Sequence, residues 1–113
     1  MTKLSVLILF VAFAAGQSKE LTGNVDNGKR LFVRNGCYQC HGYVGQGGAA
    51  GARLAQTKLP LAGFTAFVRN PPPSGMPPYR AKVMSDQELA DVWSYIKSIP
   101  EPKPVKDIPL LNQ

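Results

Sequence analysis

Histidine and cysteine are nearly missing from this chain of 113 residues, which holds one histidine, His41, and two cysteines, Cys37 and Cys40. A structural zinc site wants four such ligands, so zinc would have to recruit a carboxylate. The nearest acid on the N-terminal side of these residues is Asp26. Acids are scarce throughout, seven against thirteen lysines and arginines, for a formal charge of +6. Lys29, Arg30, Arg34, Arg53, Lys58, Arg69, Arg80 and Lys82 are scattered, and dense basic runs interleaved with aromatics are lacking, which argues against a nucleic-acid binder. A convincing run of strands is also lacking, and with it the βαβ setting of a thioredoxin-like C-x-x-C.

What is present is concentrated in Cys37-Tyr38-Gln39-Cys40-His41, the C-x-x-C-H pattern of covalent c-type haem attachment. Spacings of three and four residues place both cysteines and the histidine on one face of a helical turn. Two thiols can then add to the vinyl groups of one porphyrin while the imidazole of His41 ligates its iron. A short-loop disulfide between Cys37 and Cys40 stays open as the alternative.

With that motif, Gly28-Lys29-Arg30-Leu31-Phe32, Gly51-Ala52-Arg53-Leu54, Gly75-Met76-Pro77-Pro78-Tyr79 and Leu89-Ala90-Asp91-Val92-Trp93-Ser94-Tyr95-Ile96 together resemble a small class I (monohaem) cytochrome c. The resemblance implies a mainly α fold, three to four helices around one covalently bound haem c, over residues 24–100. It implies cofactor contacts from Cys37, Cys40, His41, Leu54 and Met76, with His41 and Met76 on the iron. It also implies that Gly28 and Phe32 pack against the C-terminal helix, whose Val92 and Tyr95 face the first helix. Ala52 stands where the family usually has proline, but it keeps the carbonyl that accepts the proximal imidazole N–H.

The helices can be bounded from local chemistry. The first starts near Asn24 or Asp26, whose side chains cap backbone N–H groups, and stops at Asn35-Gly36. Gly28 inside it costs about 1 kcal/mol against alanine, which a close helix crossing would offset. The glycine-rich segment 42–51 is a loop suited to lying against a flat ligand. Leu61, Phe64 and Val68 recur at helical spacing over 61–69, and the run Asn70-Pro71-Pro72-Pro73 ends that helix. The last helix covers 86–98, with Leu89, Val92, Trp93, Ile96 and Ile99 on its buried stripe and Pro100 after it.

Two methionines besides the initiator could ligate the iron. Met84 precedes Ser85-Asp86-Gln87-Glu88, a capping box that makes it the N′ residue and Leu89 the N4 residue of a hydrophobic staple. Met76 has no such local task and sits in a proline-stiffened loop, so it is the expected ligand.

Residues 1–16 have the layout of a secretory signal peptide. Lys3 is followed by an apolar run from Leu4 to Ala15 broken only by Ser5, with cleavage expected after Ala14 or Gly16. The run falls short of the roughly 20 residues of a spanning helix, although an uncleaved anchor is the competing reading. Losing Lys3 lowers the charge to +5. Residues 101–113, with Pro102, Pro104 and Pro109, form an extended tail that either wraps the domain or docks to a partner subunit.

These features predict a periplasmic electron-transfer protein, not an enzyme, that takes no small-molecule substrate and serves redox partner proteins with an acidic docking surface. The alternative is a dedicated cytochrome subunit of a membrane, dehydrogenase or oxidase complex. A haem sensor or peroxidase-like enzyme would require Met76 to be displaced.

Overall fold

Residues 20–112 are described by a computed structural model; the signal sequence expected over 1–16 lies outside them. Four α-helices form in chain order, α1 (Val25–Arg34), α2 (Cys37–His41), α3 (Leu61–Arg69) and α4 (Asp86–Ser98). No strand forms among the described residues, and the single bridge pairs Gly48 with Gly51. The mainly α architecture of three to four helices expected from the sequence is observed among the described residues.

The helix ends follow local capping. Asn24 accepts the backbone N–H of Asn27 through its side chain, and Asn35 closes α1 with its backbone N–H on Leu31 O. Ser85 and Glu88 form the reciprocal capping box of α4. Met84 is 2% exposed and Leu89 1%, so both ends of the expected staple lie in the core.

The core joins Leu31 and Phe32 of α1, Phe64 and Val68 of α3, Met84, and Leu89, Val92, Tyr95 and Ile96 of α4. Its most extensive contact is the α1–α4 crossing. At Gly28 an added Cβ would collide with the carbonyl group of Asp91 and with Tyr95 Cβ, so only glycine permits this approach. Phe32 meets Tyr95 edge-on, with ring centroids 5.5 Å apart. Trp93 and Ile99, expected on the buried stripe, are only half-buried. The Trp93 indole N–H donates to Leu59 O at 2.9 Å, which places it at the core's edge.

A buried acid fastens this crossing. Asp91 is 4% exposed and accepts from Asn24 N (2.8 Å), Asn27 Nδ2 (2.7 Å) and Gln87 Nε2 (3.0 Å). Burial alone would raise its pKa, but the three hydrogen bonds outweigh burial and hold the carboxyl below its usual range. A depressed folded pKa contributes stability above the unfolded value near 3.8, and the contribution is lost as pH falls through the folded pKa. Asp91→Ala is therefore expected to cost about 1.5–3 kcal/mol in urea unfolding at pH 7, with the gap to wild type narrowing as pH falls below 3.8.

The tail departs from expectation. Two 3-10 turns, Val105–Asp107 and Pro109–Leu111, replace a uniformly extended segment. The Asn112 side-chain amide gathers the carbonyls of Val105, Lys106 and Ile108 at 2.8–3.1 Å, which folds the tail on itself. Val105, Leu110 and Leu111 are exposed.

Candidate functional site

Gly36, with φ 73°, turns the chain out of α1 and directly into α2, whose single turn carries Cys37, Cys40 and His41. Both cysteines are free thiols, Cys37 half-buried and Cys40 exposed. Burial pushes the Cys37 thiol up to about 11, so it is protonated near neutral pH. C-x-x-C redox motifs work through a lowered thiol pKa, and the environment here acts in the opposite direction. Between the cysteines, Tyr38 stacks on Tyr43 with centroids 4.6 Å apart.

The loop after α2 folds back over the histidine. His41 Nδ1 lies 2.7 Å from Ala52 O. A carbonyl can only accept, so Nδ1 carries the hydrogen and the lone pair on Nε2 is the one free for a metal. Alanine at 52 thus makes the same imidazole contact that the resemblance assigns to proline. Gly51 packs on this pair, since an added Cβ would stand 2.8 Å from Cys40 O and 3.0 Å from His41 Nδ1. Leu54 is half-buried, with its N–H on Gly45 O at 2.8 Å.

Gln56 then anchors the loop to α4. It adopts φ 57°, a left-handed conformation uncommon outside glycine. Its backbone N–H donates to Ile96 O at 2.9 Å and its side-chain Nε2 to Ile99 O and Pro100 O at 2.8 and 2.9 Å. These bonds satisfy carbonyls that the end of α4 would leave unpaired. Nothing in local sequence singles this residue out, because these partners lie forty or more positions away.

Across the site, Met76 is half-buried in the loop between α3 and α4. Tyr79 ties that loop down on two sides, through N–H to Val68 O at 3.0 Å and through Oη to Asn35 O at 2.9 Å. Arg69 adds bonds to Tyr79 O at 2.8 Å and Met84 O at 2.6 Å and an ion pair to Asp86 at 2.6 Å. The sequence shows Arg69 only as one scattered surface cation, whereas its side chain is 15% exposed.

These elements enclose a cleft of about 700 Å³ whose lining includes Cys37, Cys40, His41, Leu54 and Met76, all five residues expected from the sequence. Phe32, Phe64, Val68 and Val92 also face it, as do the exposed Leu59 and Phe67. Met84 reaches the same cleft from the core, so position alone does not separate the two methionines. The size suits a cofactor. The donor set, two thiols, an imidazole with its Nε2 lone pair available and thioether sulfur in an apolar wall, fits haem c. Residues 23–96, well over half of the chain, match the family model described as cytochrome c oxidase, cbb3-type, subunit III. The chain belongs to this family of c-type cytochrome domains. Nothing among curated proteins or solved structures matches it. A cytochrome c domain carries covalently bound c-type haem, and its chemistry is electron transfer.

Proposed function

We propose that this cytochrome c domain is a periplasmic one-electron carrier, exported by residues 1–16, folded over 24–100 and followed by the tail 101–113. The reading rests on the convergence of two thiols, one imidazole and the Met76 thioether on a single cleft. Bound haem supplies the ferric–ferrous cycle. Cys37 and Cys40 would hold it covalently, His41, oriented by Ala52 O, and Met76 would ligate its iron, and Leu54 would pack on it. Ligation of the iron by both His41 and Met76 would leave no coordination site for a substrate, which favours a carrier over an enzyme. Among the described residues no helix is long and apolar enough to cross a membrane.

A second reading, a cytochrome subunit bound in an oxidase complex, is favoured by the description of the matching family and by the exposed apolar tail. Salt dependence separates the two. Arg34 and Arg69 are paired with Glu88 and Asp86, while Arg80 and Lys82, just after the Met76 loop, are exposed. Steering of an acidic partner by such charges changes association rates by 10-fold or more and is screened over about 10 Å at 0.1 M salt. Arg80→Glu with Lys82→Glu is expected to lower the bimolecular electron-transfer rate about tenfold at low ionic strength, with little change at high salt. Stopped-flow measurement with an acidic redox protein checks this. A rate indifferent to salt and to charge reversal, with a partner lost on deleting residues 102–113, would establish the bound subunit instead.

A further inference from the structure

The loop that carries Met76 is hydrogen-bonded to the rest of the domain at its neck and hardly anywhere else, and Met76 is its apolar contact with the core. Between Asn70 and Pro78, the hydrogen bonds among the described residues are Asn70 N–H to Ala66 O, at the end of α3, and Met76 N–H to the Ser74 hydroxyl, inside the loop. Pro72, Pro73, Ser74, Gly75, Pro77 and Pro78 are exposed, and an added Cβ on Gly75 would touch nothing within 4 Å. The prolines stiffen this segment but do not attach it to the domain. Its polar attachment is therefore made where the chain returns, at Tyr79.

Arg69 is the residue that gathers this return. Its guanidinium donates to Tyr79 O and Met84 O and pairs with Asp86, so one planar fork joins the end of α3, the neck of the loop and the start of α4. Bonds from an ionised donor are roughly twice as strong as neutral ones, and the fork fixes direction as well as distance. The Arg69 side chain is largely shielded, which protects its bonds to the two carbonyls from screening by salt, whereas Asp86 is exposed.

We propose that Arg69 is a positioning residue for the axial thioether: by clamping Tyr79, Met84 and Asp86 together it holds Met76 against the iron and keeps exogenous ligands out. The inference rests on Met76 being the ligand. Freed at its neck, the loop opens more often, and a competing ligand captures the iron in the open state.

The test is imidazole binding to the ferric holoprotein, read beside the weak near-infrared sulfur-to-iron band and thermal unfolding. Arg69→Gln is expected to raise imidazole affinity about tenfold to a hundredfold, as loss of a charge-assisted clamp would give. Arg69→Lys, which keeps the charge and the pairing to Asp86 but not the fork, should fall between the two. Asp91→Ala serves as control, since it loosens the α1–α4 crossing away from the loop. Its imidazole affinity should stay at the wild-type value even where its unfolding temperature drops as far as that of Arg69→Gln. Should Arg69→Gln not accumulate with haem, Asp86→Asn, which removes one arm of the clamp, is expected to raise affinity several-fold in its place. Equal increases in the Arg69 and Asp91 variants would overturn the clamp and assign the effect to general stability. An unchanged affinity in Arg69→Gln, with the sulfur-to-iron band abolished in Met76→Ala, would overturn the clamp alone. A band that survives Met76→Ala would overturn the ligand assignment and the clamp with it.

Discussion

Protein carrying both Cys37→Ser and Cys40→Ser is expected to be exported without covalent haem and to lose most of its helical circular dichroism at 25 °C. Wild-type protein should show, by intact mass, one haem on a chain that has lost residues up to Ala14 or Gly16. The expected loss follows from how little core the domain has. Among the described residues nine side chains make up the buried cluster. Several of them, Phe32, Phe64, Val68, Met84, Leu89 and Val92, also line the cleft. A bound macrocycle would pack on these residues and cover Leu59 and Phe67, which line the same cleft and which the protein alone leaves about half exposed. Burying one large apolar side chain contributes about 1.5–3 kcal/mol, and a small domain has about 5–15 kcal/mol in total. Removing a group that contacts this many apolar residues is expected to cost more than about 5 kcal/mol, enough to unfold the chain. Covalent attachment acts on the unfolded state too, because it ties two points of the chain and the iron ligand to one rigid plane. A haem-free wild-type chain with an intact Cys37–Cys40 disulfide would reject the assignment.

The parts of the fold that were legible in the sequence are those written in a few neighbouring residues. Asn24 and Asn35-Gly36 bound α1 because capping acts within one turn, and Ser85 with Glu88 bounds α4 for the same reason. Gly28 was readable as a helix crossing because an unexplained glycine in mid-helix calls for a close neighbour, and Asp91 and Tyr95 provide it. The five expected site residues share one cleft because the motif from Cys37 to His41 confines three of them to one turn.

The parts that were not legible depend on distant partners. Arg69 reads as a surface cation, and its clamp exists only once Tyr79, Met84 and Asp86 are brought beside it. Gln56 reads as a loop residue, and its role needs the end of α4. Asp91 sits on an otherwise apolar stretch of α4, and sequence cannot tell that Asn24, Asn27 and Gln87 will satisfy it. The two turns of the tail were not legible for the same reason: prolines favour extension locally, and the Asn112 amide that bonds the carbonyls of Val105, Lys106 and Ile108 lies up to seven residues away.

Met76→Ala and Met84→Ala are expected to give opposite results, and together they decide the distal ligand. Both side chains reach the cleft, but they stand in different mechanical settings. Met84 is 2% exposed, precedes the capping box of α4 and shares the core with Leu89. Removing its side chain leaves a cavity and is expected to cost about 2–5 kcal/mol, visible as a lower unfolding midpoint of the holoprotein. Its backbone carbonyl, the acceptor for Arg69, survives the substitution, so the Met76 loop keeps its clamp. The sulfur-to-iron band of the ferric protein and resistance to carbon monoxide in the ferrous protein should therefore stay near wild type. Met76 is half-buried and packs at the edge of the core cluster, on a loop whose neighbouring residues are exposed. Met76→Ala should abolish the band and let the ferrous protein bind carbon monoxide. It should also lower the reduction potential, since thioether ligation with histidine favours the reduced state. Carbon monoxide binding by the unmodified protein would point to a sensor or peroxidase-like activity. The reverse pattern, with the band lost in Met84→Ala and kept in Met76→Ala, would move the ligand into the core and make the proline loop a lid over a site it does not ligate.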